Sequence, residues 1–265
     1  MRLQVEARLD YFFPEAAESL LHLELAHVGG QDIIVESLSL DPPIAWTRLD
    51  DPATGERRIA FRHQGPLKIV YAATVEIAPR DNDLAGAAQH AIADLPIDVL
   101  PYLRASRFVE SDRFEPKAEG DFGDLKGGDR VEAIIAWLKG HLNYRPGVST
   151  SSTTAVGAYM TRAGVCRDYA HVAAALCRAS DIPARLVSAY ALGVEPPDFH
   201  AVIEVFVGGR WRLADPSGLA CPSGMALIGQ GRDAADIAFL TIFGRATMNA
   251  QSVSVRKAAE APVAA

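Results

Sequence analysis

Three residue types that cooperate in covalent acyl chemistry occur in the order Cys166, His200, Asp215. Cys166 lies in "TRAGVCRDYAHVAAALCRAS", where Val165, Tyr169, Val172, Ala173 and Leu176 recur at offsets of four, seven, eight and eleven, the stripe of an amphipathic helix. The spacing predicts a helix whose first turn holds the thiol just behind Gly164 and which ends near Ser180, before Pro183. Unsatisfied N–H groups and the positive end of the dipole at such a position favour a thiolate over a thiol. The same N–H groups can hold the oxyanion of a tetrahedral intermediate. Arg167 favours a neighbouring anion and Asp168 opposes it, and the competing assignment for any single cysteine is a small buried hydrophobe.

A cysteine nucleophile needs a base within hydrogen-bonding distance and a third group to orient that base. Reading "HAVIEVFVGGRWRLAD" as a hairpin turned at Gly208-Gly209 sets Val207 opposite Arg210 and Val202 opposite Asp215. His200 then shares a face of the sheet with Asp215 as its diagonal neighbour, about 7–8 Å away between backbones. A three-residue turn without a bulge would put the two on opposite faces. On spacing alone His200 reads equally as a structural histidine and Asp215, before Pro216, as a turn residue.

The other thiols serve as controls. Cys177 lies eleven residues beyond Cys166, about 16 Å along a helix axis, and reads as core. Cys221 follows a loop signal and has no helix of its own, which leaves it a backup nucleophile or simple packing. An odd count of three cysteines without CxxC spacing argues against a disulfide framework and a tetrahedral zinc site. His141 and His171 fit solvated helix faces, His22, His27 and His63 fall in a β-rich half, and His90 lies in a connection; structural roles suit them all.

The elements that must position the three residues form two groups. Residues 1 to 80 read as a β-rich N-terminal domain, an antiparallel β-sandwich. Leu3, Val5, Ala7 and Leu9 alternate there, as do Leu21, Leu23 and Leu25, and Leu67 through Ile77 put every second residue on one face. A Pro-containing connection covers 81–115. Residues 116–257 read as the second domain. In it "DRVEAIIAWLKGHL" predicts a helix with Val131, Ile134, Ile135, Leu138 and Leu142 on one face and Asp129 at its N-cap, and a further helix runs from Ser152 or Thr153 to Arg162. The Cys166 helix and then strands over "ARLVSAYAL", "HAVIEVFV" and "RWRLAD" complete an α+β pattern. The tail, 258–265, reads as frayed.

Over 265 residues, 49% hydrophobic and 22% charged composition is that of a folded globular chain, and a net charge of −7 offers no basic field for nucleic acid. The first twenty residues alternate in polarity where a secretory leader needs an apolar core, and no later run has the length of a membrane span, so a cytoplasmic location without membrane association is expected. No Walker, GxGxxG, HxxxH or EF-hand pattern calls for a cofactor, a metal or calcium.

"RAGVCRDYAHVAAALCRASDIPARLVSAY" followed by "FHAVIEVFVGGRWRLADPS" resembles the transglutaminase-like superfamily, in its bacterial branch of transglutaminase-like cysteine peptidases. The resemblance spans roughly residues 128 to 218, and "LPYLRASRF" and "GRDAADIAF" are similar to flanking pieces of the same branch. It implies a β-rich domain ahead of a papain-like catalytic core, with Cys166, His200 and Asp215 as the catalytic set and a peptide or protein amide as substrate. Two departures bear on the substrate pocket: Val202 stands where many relatives carry tryptophan, and "VGGRW" compresses the hairpin. Hydrolysis and transfer to an amine both follow from an acyl-thioester, and a binding or scaffold protein that keeps the fold is the alternative.

Overall fold

In the computed structural model, which describes residues 1–258, the chain is an α+β protein built on two antiparallel sheets. The first is formed by β1 (Arg2–Leu21), β2 (Gln31–Asp41), β3 (Trp46–Asp50) and β4 (Arg57–Ile77). Two long strands, β1 and β4, run side by side, and their register shifts between Phe13 and Ala17. The alternating side chains of β1 and β4, from Leu3 to Phe13 and from Leu67 to Ile77, are buried on one face, as their period of two requires.

Next come α1 (Glu115–Phe122), α2 (Gly127–His141), β5 (Asn143–Tyr144), α3 (Ala155–Thr161), β6 (Ala163–Gly164) and α4 (Cys166–Arg178). The strands β7 (Ala184–Ala191), β8 (Phe199–Val207), β9 (Arg210–Ala214) and β10 (Met225–Gly231) make the second sheet, in the order β10-β7-β8-β9. After α5 (Ala234–Ile237), β11 (Leu240–Phe243) and β12 (Thr247–Lys257) return to the first sheet and pair with β1. This corrects the expected boundaries: residues 240–257 belong with the sheet of residues 1–80, because they cover the otherwise open edge of β1. The Ala258 N–H still donates to the Arg2 carbonyl, at 3.0 Å. The rest of the expected frayed tail, 259–265, lies outside the described residues.

Residues 81–115 are not a bare linker. The Asn82 side chain accepts from the Leu213 N–H at 3.0 Å, and the Ala88 carbonyl accepts from the Gly208 N–H at 2.8 Å, so the segment lies along the edge strand β9. It also displaces the expected N-cap of α2. The helix starts at Gly127 with Lys126 as its cap, while Asp129 turns its carboxylate to the Gly86 N–H at 2.8 Å. Gly128 sits so close to Leu84 that a Cβ would lie 1.7 Å from its carbonyl oxygen, which explains a glycine inside the first turn.

One face of the second sheet has two covers. At one end Ala184, Leu186, Ile203 and Val205 pack in a common core with α4. At the other end Tyr190, Ala226 and Ile228 pack into the core of the first sheet. The paired residues Ser188 and Ala201 lie on this face between the two covers, at a seam. Among the described residues no helix is long and apolar enough to cross a membrane.

The Tyr190 hydroxyl ties the second sheet to the first-sheet cover by donating to the Leu23 carbonyl at 2.9 Å, deep in the interior. Tyr190→Phe leaves that carbonyl unpaired, and a loss of about 1–3 kcal/mol in urea-unfolding stability with an unchanged m-value is expected.

Candidate active site

The Cys166 helix begins where the sequence places it. Val165 is the N-cap, Cys166 is the first helical residue, and the helix ends at Arg178. Asp168 at the third helical position accepts from the Val165 N–H at 2.8 Å and from Arg167 at 3.2 Å, so its carboxylate is engaged at the helix entrance. Gly164 is required by that contact, since a Cβ there would meet the Asp168 Cβ at 2.5 Å. Cys166 itself is half-buried, whereas every residue from Asp168 to Arg178 is buried.

That burial corrects the expectation for His171, which has no solvated face. Its ring stacks on Phe108 with centroids 5.6 Å apart, and its Nε2 accepts from the Ala234 N–H at 3.2 Å. Burial, followed by the charge of Arg167, lowers its pKa to about 4, so the ring is neutral and serves as an acceptor. His141 is half-buried and stacks on Trp137, with centroids 4.2 Å apart. The Cys177 thiol is wholly buried and burial pushes its pKa up to about 12, as befits core. Cys221 is exposed, lies 3.1 Å from the Ser223 hydroxyl, and has its pKa lowered by that hydrogen bond.

The hairpin has the predicted register, with Val207 opposite Arg210 and Ile203 opposite Ala214. Gly208 and Gly209 both hold positive φ, 61° and 77°, the requirement of the tight two-residue turn that matches strand twist. His200 and Asp215 therefore share a face, and His200 Nε2 is 2.9 Å from Asp215 Oδ2. The same Oδ2 accepts from the Ala220 N–H at 2.9 Å, while Oδ1 accepts from the Ser217 N–H at 2.9 Å and its hydroxyl at 2.6 Å.

β9 stops at Ala214, so its pairing with β8 ends at Ile203 and the Phe199–His200 end is left free on that side. Cys166 comes up against it, its sulfur 4.0 Å from the Phe199 carbonyl. With Nε2 held by Asp215, Nδ1 is the ring nitrogen available to the thiol. Burial opposes a charge on His200. The Asp215 hydrogen bond, then the hydrogen bond and charge of Cys166, outweigh it and raise the pKa to about 9. Burial likewise opposes the Asp215 charge, but His200, the Ser217 hydroxyl and the Ala220 N–H hold the carboxyl below its ordinary value.

Tyr144 is a neighbour that sequence patterning did not single out. Its two-residue strand β5 pairs in parallel with β6, Tyr144 opposite Gly164, and the Arg145 N–H donates to the Gly164 carbonyl at 2.9 Å. The hydroxyl lies against the Cys166 thiol and backbone N–H; burial, then the charge of Cys166, pushes its pKa up to about 12, which leaves it protonated at neutral pH. Cys166 and His200 open onto a cleft of about 630 Å³ at the seam between the two covers.

The site thus places a half-buried thiol at the mouth of a buried helix, next to a carboxylate-held histidine and beside a cleft, on an α+β fold. Residues 118–216 match the model of the transglutaminase-like superfamily. A Cytophaga hutchinsonii protein, described with its crystal structure as a candidate cysteine protease, is 32% identical over 97% of this chain and 90% of that one, with a TM-score of 0.90. The chain belongs to the transglutaminase-like superfamily. An uncharacterized Mycobacterium leprae protein is 31% identical over 117 residues, and the chain spans 42% of the length of that curated relative. The periplasmic domain of TgpA from Pseudomonas aeruginosa is 16% identical over 83% of this chain and 91% of that one, with a TM-score of 0.43.

Thiol labelling at neutral pH checks the geometry. Iodoacetamide is expected to modify Cys166 and Cys221 in the folded protein and to spare Cys177, as read by peptide mass mapping. His200→Ala should slow Cys166 alone, and Gly164→Ala, which displaces the Asp168 cap, should slow it as well.

Proposed function

We propose that this protein is a cysteine-dependent amidase or peptidase that works through an acyl-thioester. The observation that carries this reading is the convergence of the Cys166 thiol on a His200–Asp215 pair held at 2.9 Å beside an open cleft. The resemblance to a candidate cysteine protease over nearly the whole chain supports it.

In this mechanism the Cys166 sulfur, its proton given up to His200, attacks the carbonyl carbon of an amide. The oxyanion takes hydrogen bonds from the Cys166 N–H and the Tyr144 hydroxyl. His200, protonated at neutral pH with its pKa near 9, delivers the proton to the leaving amine as the C–N bond breaks. Water then attacks the thioester, His200 takes a proton from it, and the acid leaves as the sulfur is restored. Asp215 fixes the ring with Nδ1 toward sulfur throughout. A primary amine in place of water would give transamidation by the same steps, and the peptide or protein amide supplies the acyl group in either case.

A screen of fluorogenic peptide amides, with and without a primary amine, tests this directly. Cys166→Ala should abolish turnover, and free acid rather than amine-coupled product should dominate; no Cys166-dependent product at all would leave a binding or scaffold role. Tyr144→Phe should lower kcat by about 10²-fold, the usual cost of one oxyanion donor, and leave the iodoacetamide rate of Cys166 within a factor of about two. The alkaline limb of the pH–rate profile should fall near pH 9 as His200 loses its proton. Asp215→Ala removes the largest influence raising that pKa and should move the limb toward the ordinary histidine value.

A further inference from the structure

The cleft beside Cys166 continues past the reacting atoms into a chamber walled by Phe199, Ile228, Ile237, Phe239, Leu240 and Ile242. Phe199 and Phe239 stack with centroids 4.6 Å apart and ring planes 18° from parallel, so a pair of aromatic rings stands together in its lining. Most of this wall comes from residues 234–242, which lie beyond the 118–216 stretch that matches the family model and run from α5 into β11, the strand that pairs with β1.

Several polar groups at the rim have partners, while the buried Arg167 Nε has none among the described residues. Asp198 accepts from the Gln251 side chain and the Phe199 N–H. Arg167 donates to the Thr150 carbonyl and to Asp168. The Arg107 guanidinium lies over the Phe108 ring, 4.8 Å from its centroid. A charged or carboxamide side chain set against those six apolar residues would give up its water with nothing polar among them to replace it, whereas an aliphatic or aromatic one gains contact with them.

Resting on the acyl-transfer reading of Cys166, we propose that this chamber is the specificity pocket of the site and takes a bulky apolar side chain on the residue that supplies the reacting carbonyl. Substrates with Phe or Leu at that residue are the preferred class. Gln, the residue a protein-crosslinking transamidase would attack through its side chain, is disfavoured there along with Asp and Lys.

The test uses N-acetyl-aminoacyl chloromethyl ketones of Phe, Leu, Gln, Asp and Lys on the intact protein, with Cys166 modification timed by mass spectrometry and iodoacetamide as the side-chain-free reference. Phe and Leu reagents should react at least about 10-fold faster than the other three relative to their rates with free thiol, the discrimination a fitted apolar pocket supplies. Ala238→Trp fills the chamber from a half-exposed position. It should erase the preference and leave the iodoacetamide rate unchanged. Calorimetric titration of Cys166→Ser with N-acetylated peptide amides of the same five residues gives a readout independent of the sulfur and should show the same order. Equal or inverted rates and affinities, or a preference that survives Ala238→Trp, overturn the pocket. A preserved apolar order in protein that cleaves no amide would sustain the pocket while removing the proposed activity.

Discussion

The geometry of the site depends on the parity of one turn. Because successive side chains of a strand alternate in direction, a connection of two residues between β8 and β9 puts His200 and Asp215 on the same face, and one residue more or fewer would separate them. Two consecutive left-handed residues are needed for so tight a return, and only glycine adopts that conformation without strain. The turn is also held from outside. Ala88 accepts the Gly208 N–H, and Arg212 packs close over Gly208 while its guanidinium bonds to Asp81 and the Asp83 carbonyl. The segment that reads as a connection thus clamps the turn on which the histidine–carboxylate pair relies.

The Cys166 side of the site is fixed by a different device. A helix with a polar face would ordinarily turn that face to water, yet α4 is enclosed, and its polar residues are used as pins. The Arg178 guanidinium donates to the carbonyls of Ala184, Arg104 and Arg232 and to the Ser106 hydroxyl. His171 accepts a backbone N–H from the start of α5, and Asp168 closes the helix entrance. Several hydrogen bonds to each charged group offset the desolvation that burying it costs. The result is a helix whose first residue is held at the cleft with little freedom of position, as the proposed attack on a carbonyl would require. His171 also couples that helix to the segment that walls the cleft, so the thiol and the chamber are set by shared contacts.

What was legible in the sequence is what short-range rules determine. The apolar stripe after Gly164 located the start of α4, and the Gly-Gly turn between two β-branched runs located the hairpin and hence the pairing of His200 with Asp215. Pairings between distant segments carry no comparable signal. Nothing local in "TMNAQSVSVRK" says that it will lie against residues 3–12, because that pairing is chosen by the exposed edge of β1. Asp129 has the composition of a helix cap, but residues 84–89 occupy the space before it and take its carboxylate instead. His171 looked solvated because periodicity finds the most apolar face of a helix and cannot tell when the remaining faces are covered too. Tyr144 reaches the thiol through a two-residue strand pair, too short to leave any pattern.

The chemistry of the carboxylate explains why this position holds aspartate rather than its amide. Both oxygens of Asp215 are acceptors only, facing the His200 ring, the Ala220 N–H, and the N–H and hydroxyl of Ser217. An asparagine would have to turn its NH₂ group toward one of these donors, so the surroundings select the ionised acid. That fixed charge raises the histidine pKa, and the two titrations bound a window. The His200 contribution to stability is fully present below the ordinary histidine value and is lost as pH rises through about 9. The Asp215 contribution is present above the ordinary carboxylate value and is lost as pH falls through its depressed one. Between those limits the imidazolium–carboxylate pair is intact, which is the state the proposed mechanism needs for the ring to pass a proton to a departing amine.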